Sequence, residues 1–214
     1  MRLAIDTSGI EQALTLLDGS RPVARVDWVR SRDDPPLLVR LQALMREGGA
    51  HPDDLEAVAA GRGPGSFTGL RVGLSIAAGI AYARHLPLYL LDSLPMLARR
   101  SRQEAAMVAL RDAGHGEIYA WRKGDEIKRL PLAELSSWLP PKGRIMVEPA
   151  GALLTWSPVH ASLEVPLEER APASEALAGY ALETFEFSKP VRYDEVQALY
   201  VQPAAAEERK RKAP

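Results

Sequence analysis

The apolar positions of this chain fall into two rhythms that alternate along its length. Residues 2–7 (RLAIDT), 12–18 (QALTLLD) and 23–30 (VARVDWVR) are short apolar or part-alternating runs and predict three strands. Asp18-Gly19-Ser20 joins the second to the third as a hairpin turn. Pro35-Pro36 then opens a segment in which Leu37, Leu38, Leu41, Leu44 and Met45 recur at helical spacing, closed by Gly48-Gly49. A strand at 55–60, a glycine-rich turn, a helix over 68–85, a strand at 88–92 and a short helix opened by Ser93 complete the first half.

The second half begins the same way. Strands are predicted at 107–112, 117–122 and 126–130, joined by Gly114-His115-Gly116 and Lys123-Gly124-Asp125. A helix at 132–138, a strand at 144–148 and a helix at 173–186, ended by Pro190, follow. No repeat of residues accompanies this repeat of element order. A sheet that starts as a hairpin meander and continues through helical crossovers, made twice, is the plan of the α/β actin-like ATPase fold (ASKHA, ribonuclease H-like). Two duplicated lobes are therefore expected, residues 1–101 and 102–214.

Composition narrows the function classes. With 214 residues, 46% of them apolar, the chain can build a core without covalent staples. It has no cysteine, which excludes disulfides, thiolate catalysis and cysteine–metal sites and fits the cytoplasm. A net charge of −1 gives no global pull toward nucleic acid or acidic membranes, so such a contact must be local. Asp6 breaks the first apolar run, unlike a signal peptide. Val72 to Ala83, the best membrane candidate, falls short of the roughly 20 apolar residues a spanning helix needs. A soluble, cytoplasmic protein is the expectation.

Candidate chemistry concentrates at Gly61-Arg62-Gly63-Pro64-Gly65-Ser66-Phe67-Thr68-Gly69. Such a turn can bring backbone amides to an anion at a helix start, or can let two backbones pack closely. It fails the spacing of a phosphate loop and of the dinucleotide fingerprint, which favours packing. In the helix that follows, Gly69, Gly73, Ala77 and Ala81 recur every fourth residue, a face that lets another backbone approach, either this chain's own sheet or a partner helix. Asp6 and Asp112 end equivalent strands, where they would flank the interlobe cleft as magnesium–nucleotide ligands or serve as turn caps. The four histidines, His51, His85, His115 and His160, show no metal-ligand spacing. The tail Glu207-Glu208-Arg209-Lys210-Arg211-Lys212 is either a solvated terminus or an RNA-phosphate contact.

The run from Gly61 to Gly73 resembles the signature of the bacterial TsaB (YeaZ) family. Leu3-Ala4-Ile5-Asp6-Thr7-Ser8, the stretch from Asp112 to Tyr119, and Ala198-Leu199-Tyr200-Val201-Gln202-Pro203 are similar to other parts of that family, in order. The resemblance implies an actin-like fold without catalytic residues, metal or cofactor of its own. It implies a role in forming threonylcarbamoyladenosine at position 37 of tRNAs that read codons beginning with adenine. The implied partners are the catalytic paralogue TsaD, bound through N-lobe helices, and the ATPase TsaE, with tRNA touched only as part of the complex and no membrane. The partner face would comprise Leu37, Leu41 and Met45 on one helix and Gly69, Gly73, Ala77 and Ala81 on the next, a surface also suited to a two-fold homodimer. On that reading Gly73→Leu and Ala77→Arg would block TsaD without unfolding the chain. The sequence departs from the family at Asp33-Asp34-Pro35-Pro36, where a His-Ser pair is usual, and at Gly114, where arginine is usual. Two rivals from other classes are an actin-like nucleotide-binding kinase and a glycoprotease-type peptidase, the latter weakened by the missing ligand histidines.

Overall fold

The computed structural model describes residues 1–102, 106–148, 153 and 164–201. The basic tail at 207–212, Gln202, Pro203 and His160 lie outside the described residues.

Alternation in the first strands sets the layers. Strands β1 (Arg2–Asp6), β2 (Glu11–Asp18) and β3 (Arg21–Val29) form the meander, and β4 (Ala57–Gly63) and β5 (Leu88–Asp92) extend it in parallel. The sheet order is β3-β2-β1-β4-β5. Leu3, Ile5, Leu14 and Leu16 point to one face, where they meet helices α1 (Leu37–Glu47) and α2 (Phe67–Arg84). Ala4, Ala13 and Ala59 point to the other face, and there α5 (Ala173–Phe187) lies close, through Leu177, Ala178 and Ala181. The period of two thus sends alternate residues of each strand to opposite helix layers.

The second sheet repeats the order. Strands β6 (Val108–Gly114), β7 (Glu117–Arg122), β8 (Lys128–Pro131) and β9 (Ile145–Val147) run β8-β7-β6-β9, the same sequence of neighbours as the first four strands of the first sheet. Helices α3 (Ser93–Ala98) and α4 (Leu135–Trp138) cover its two sides, α3 with Leu94 and Leu97 against Ala109 and Met146, α4 with Leu135 against Val108 and Leu110. The expected actin-like duplication is present.

One connection was not visible in the pattern. Helix α5 belongs to the second half of the chain yet packs on the first sheet, where Thr15 Oγ1 donates to the Ser174 carbonyl at 2.9 Å and Ser174 N–H donates to Asp27 at 2.6 Å. The segment after it continues over the same lobe: Tyr193 Oη donates to the Leu86 carbonyl at 2.8 Å, and Leu199 N–H to that of Arg62 at 2.7 Å.

Candidate functional site

In a duplicated fold of this plan the ends of β1 and its counterpart β6 face each other across the interlobe cleft. β1 runs out into Asp6-Thr7-Ser8-Gly9, and Asp6, Thr7 and Ser8 are buried there. Asp6 Oδ1 accepts the Ser8 N–H at 3.1 Å, and Thr7 Oγ1 donates to the Gly69 carbonyl at 2.7 Å. The Ser66 N–H donates to the Ser8 carbonyl at 2.7 Å, while Ser66 Oγ caps α2 by accepting from Gly69. The glycine-rich turn therefore rests on the chain's own first hairpin. A Cβ at Gly65 would run into the Ser8 carbonyl, one at Gly69 into the Thr7 carbonyl, and one at Gly73 into the Thr7 hydroxyl. Close internal packing accounts for these glycines without any anion.

Parallel register decides what the second lobe contributes. Leu110 of β6 stands opposite Val147 of β9, so the next residues, Arg111 and Glu148, emerge side by side. Their side chains are buried and ion-paired, Nε to Oε2 at 2.9 Å. Arg111 Nη1 reaches across the cleft to donate to Ser8 Oγ at 2.8 Å and to the Pro64 carbonyl at 3.0 Å. Glu148 Oε1 accepts the Ile10 N–H at 3.2 Å. Both members of the pair thus bind the opposite lobe, and the space left beside them measures about 20 Å³, room for roughly one water.

The structure corrects the pairing of carboxylates across this cleft. Asp6 lines it, but Asp112 does not; half-buried, Asp112 accepts the Gly114 N–H at 3.2 Å as a turn cap. Alternation along β6 sends Arg111 into the cleft and its neighbour away from it. Burial pushes the Asp6 carboxyl above its ordinary value of 3.8, and the nearby Arg111 guanidinium only partly opposes that shift. Arg111 and Glu148 are the site residues that sequence reasoning missed. Their signal was a charged residue closing each of two apolar strands, MVALR and IMVE.

The seven residues expected to form a partner face all have buried side chains or backbones: Leu37, Leu41, Met45, Gly69, Gly73, Ala77 and Ala81. Their inward packing overturns the expectation that Gly73→Leu and Ala77→Arg would leave the fold intact. Leu41 and Met45 also floor an open groove of about 560 Å³, whose walls are Leu38, Gln42, Arg46, Ala50, Pro52, Leu55 and Ile80. Leu38 and Val39 beside it are half exposed. Among the described residues no group of three His, Asp or Glu side chains gathers as a metal site, and no helix is long and apolar enough to cross a membrane.

Two sheets of common order, facing helix layers and a cleft at the ends of equivalent strands define an actin-like two-lobed protein. Comparison with known proteins narrows this class. The family described as "TsaD: tRNA N6-adenosine threonylcarbamoyltransferase" matches residues 36–132. The tRNA threonylcarbamoyladenosine biosynthesis protein TsaB of Escherichia coli is 32% identical over 55% of this chain and 52% of its own, and that of Haemophilus influenzae 30% identical over 64% and 59%. The chain thus spans little more than half the length of the curated relatives it matches. By fold it is similar to YeaZ from Pseudomonas aeruginosa, with a TM-score of 0.71, 22% identity and coverage of 92% of this chain and 99% of that one. These findings bear out the resemblance of the chain to the TsaB (YeaZ) family.

Proposed function

We propose that this chain is the non-catalytic partner of a TsaD-type threonylcarbamoyltransferase in the formation of threonylcarbamoyladenosine at position 37 of tRNA. The observation that carries the reading is the interlobe cleft, whose centre holds the Arg111–Glu148 pair. A nucleotide bound there would have to displace a buried ion pair with its interlobe hydrogen bonds, a cost of several kcal/mol by order of magnitude. The names of the curated relatives place them in the same biosynthesis. Partner binding falls to the outer surface of α1 and α2. Leu41 and Met45 form the floor of the groove, and Leu38, Gln42 and Ile80 offer side chains at its walls. Leu37, Gly69, Gly73, Ala77 and Ala81 shape that surface from beneath by letting both helices sit close to the sheet. TsaE joins the assembled pair, a homodimer of the free chain would use the same groove, and the complex works in the cytoplasm.

The test is co-elution of the full chain with the TsaD paralogue of its own organism in size-exclusion chromatography. Leu38→Asp, at an exposed wall position, is expected to reduce it markedly while leaving the circular dichroism spectrum and melting temperature unchanged. Mass spectrometry of tRNA nucleosides from a deletion strain should show loss of the modified adenosine, restored by the wild-type gene and not by Leu38→Asp. Normal co-elution of that variant would move the interface elsewhere, and tight magnesium–ATP binding by the isolated chain in calorimetry would replace this reading with the kinase one.

A further inference from the structure

The opposite flank of α2 differs from the α1 side in chemistry. Ile80, which faces the α1 groove, stands nine residues from Arg71, close to half a turn around the helix. On Arg71's side, α2 and the 193–201 segment enclose a second groove of about 420 Å³, lined by Arg71, Ser75, Tyr193, Gln197 and Tyr200 among others. At its end Phe67 and Tyr200 are exposed by 57% and 56%, with ring centroids 6.0 Å apart and planes tilted by 37°. The Arg71 guanidinium sits 5.2 Å from the Phe67 centroid, and Arg30 donates to Ser66 Oγ one residue before that ring. Most of the described arginines, such as Arg62, Arg84 and Arg99, carry a carboxylate partner. Among the described residues neither Arg30 nor Arg71 has a carboxylate within ion-pair distance, so two cations without one stand beside the exposed edge of the Phe67–Tyr200 pair, Arg71 over the Phe67 ring and Arg30 on Ser66.

We propose that this patch binds single-stranded RNA, with bases stacked on Phe67 and Tyr200 and phosphates drawn to Arg71 and Arg30. Charge complementarity favours a polyanion, and exposed aromatic faces beside arginines are how proteins hold unpaired bases. The choice of RNA over DNA rests on the tRNA-modification reading above; the choice of a single strand rests on the aromatic pair alone.

Fluorescence anisotropy of a labelled 12-nucleotide single-stranded RNA, with the full chain and with its TsaD complex, tests the patch. Phe67→Ala and Tyr200→Ala are each expected to weaken binding about tenfold, within the range measured for stacking platforms. Arg71→Gln should reduce the salt dependence by a slope of about 0.7. A duplex RNA of the same sequence should bind more weakly and should not respond to Phe67→Ala. Binding that survives all three substitutions, or that is lost only when the chain is cut after Val201, overturns the proposal in favour of a tail contact. If Phe67→Ala instead breaks co-elution with TsaD and leaves RNA binding intact, the patch is a protein interface and the proposal falls. Failure of the tRNA-modification reading registers separately, as wild-type chain that never co-elutes with TsaD.

Discussion

The interlobe cleft and the α1–α2 groove are built on opposite principles. The cleft lies between the ends of equivalent strands, where the actin-like plan leaves room for a ligand, and here it is closed by a buried ion pair down to about 20 Å³. The groove lies outside the duplicated plan, is lined mainly by apolar residues and holds about 560 Å³. Polar chemistry is turned inward as structure in the cleft, while the groove keeps an open, mainly apolar concavity, the face proposed above for a partner. The difference teaches that a fold's inherited pocket can become its internal fastening.

Breaking the cleft should have the largest effect. Arg111→Ala leaves Glu148 buried without its partner, and a loss of about 3–5 kcal/mol is expected. For a chain of this size that lowers the melting temperature by roughly 10 °C in a thermal scan. The double variant Arg111→Met, Glu148→Leu removes both charges and should recover most of the loss; no recovery would mean that the bonds to Ser8 and Pro64 dominate. Next comes Gly69→Ala, whose added methyl meets the Thr7 carbonyl, a backbone atom that cannot swing away. Chemical denaturation should show a cost of about 2–3 kcal/mol, and a smaller one for Gly73→Ala, where the obstacle is the Thr7 hydroxyl.

The groove should respond in the complementary way. Leu38→Asp is expected to weaken the TsaD complex by about 2 kcal/mol, roughly 30-fold in titration calorimetry, with stability within about 0.5 kcal/mol of wild type. The smallest effect belongs to Asp6. Because its folded pKa is raised, the native state holds that proton more tightly than the unfolded chain. Its contribution to stability is then most favourable below the ordinary value of 3.8 and is lost as pH rises through the raised one. Asp6→Asn keeps an acceptor for the Ser8 N–H, so it should flatten this fall and leave the protein at neutral pH as stable as wild type or slightly more so. A steeper loss of stability for Asp6→Asn above that window would mean that the attraction between Asp6 and Arg111 outweighs burial.

Much of the fold was legible because strands and helices leave different periods in the residues. The meander at 2–30, the helix of Leu37–Met45 and the duplicated order all follow from such local patterns. The site was less legible, since what joins Arg111 to Glu148 is a strand register between residues 37 positions apart. The stripe of Gly69, Gly73, Ala77 and Ala81 shows the limit most clearly. A four-residue repeat of small side chains states that something comes close to one helix face; it does not say whether the neighbour is the chain's own hairpin or another molecule. Here the chain itself is the neighbour: the hairpin at Thr7 for Gly69 and Gly73, and the core beneath the first sheet for Ala77 and Ala81.

The return of α5 to the first sheet carries a consequence for how the protein is made. The face of β1, β2 and β4 formed by Ala4, Ala13, Leu17 and Ala59 is covered only when residues 173–187 arrive. The Thr15–Ser174 bond closes a separation of 159 residues. On the ribosome the amino-terminal sheet must therefore wait, half clothed, until residues 173–187 have emerged. Such long-range closure slows folding and leaves a hydrophobic surface open to chaperones and to aggregation in the interval. Chains that stop before residue 173 should accumulate as insoluble material, even though every strand of the first sheet is already present.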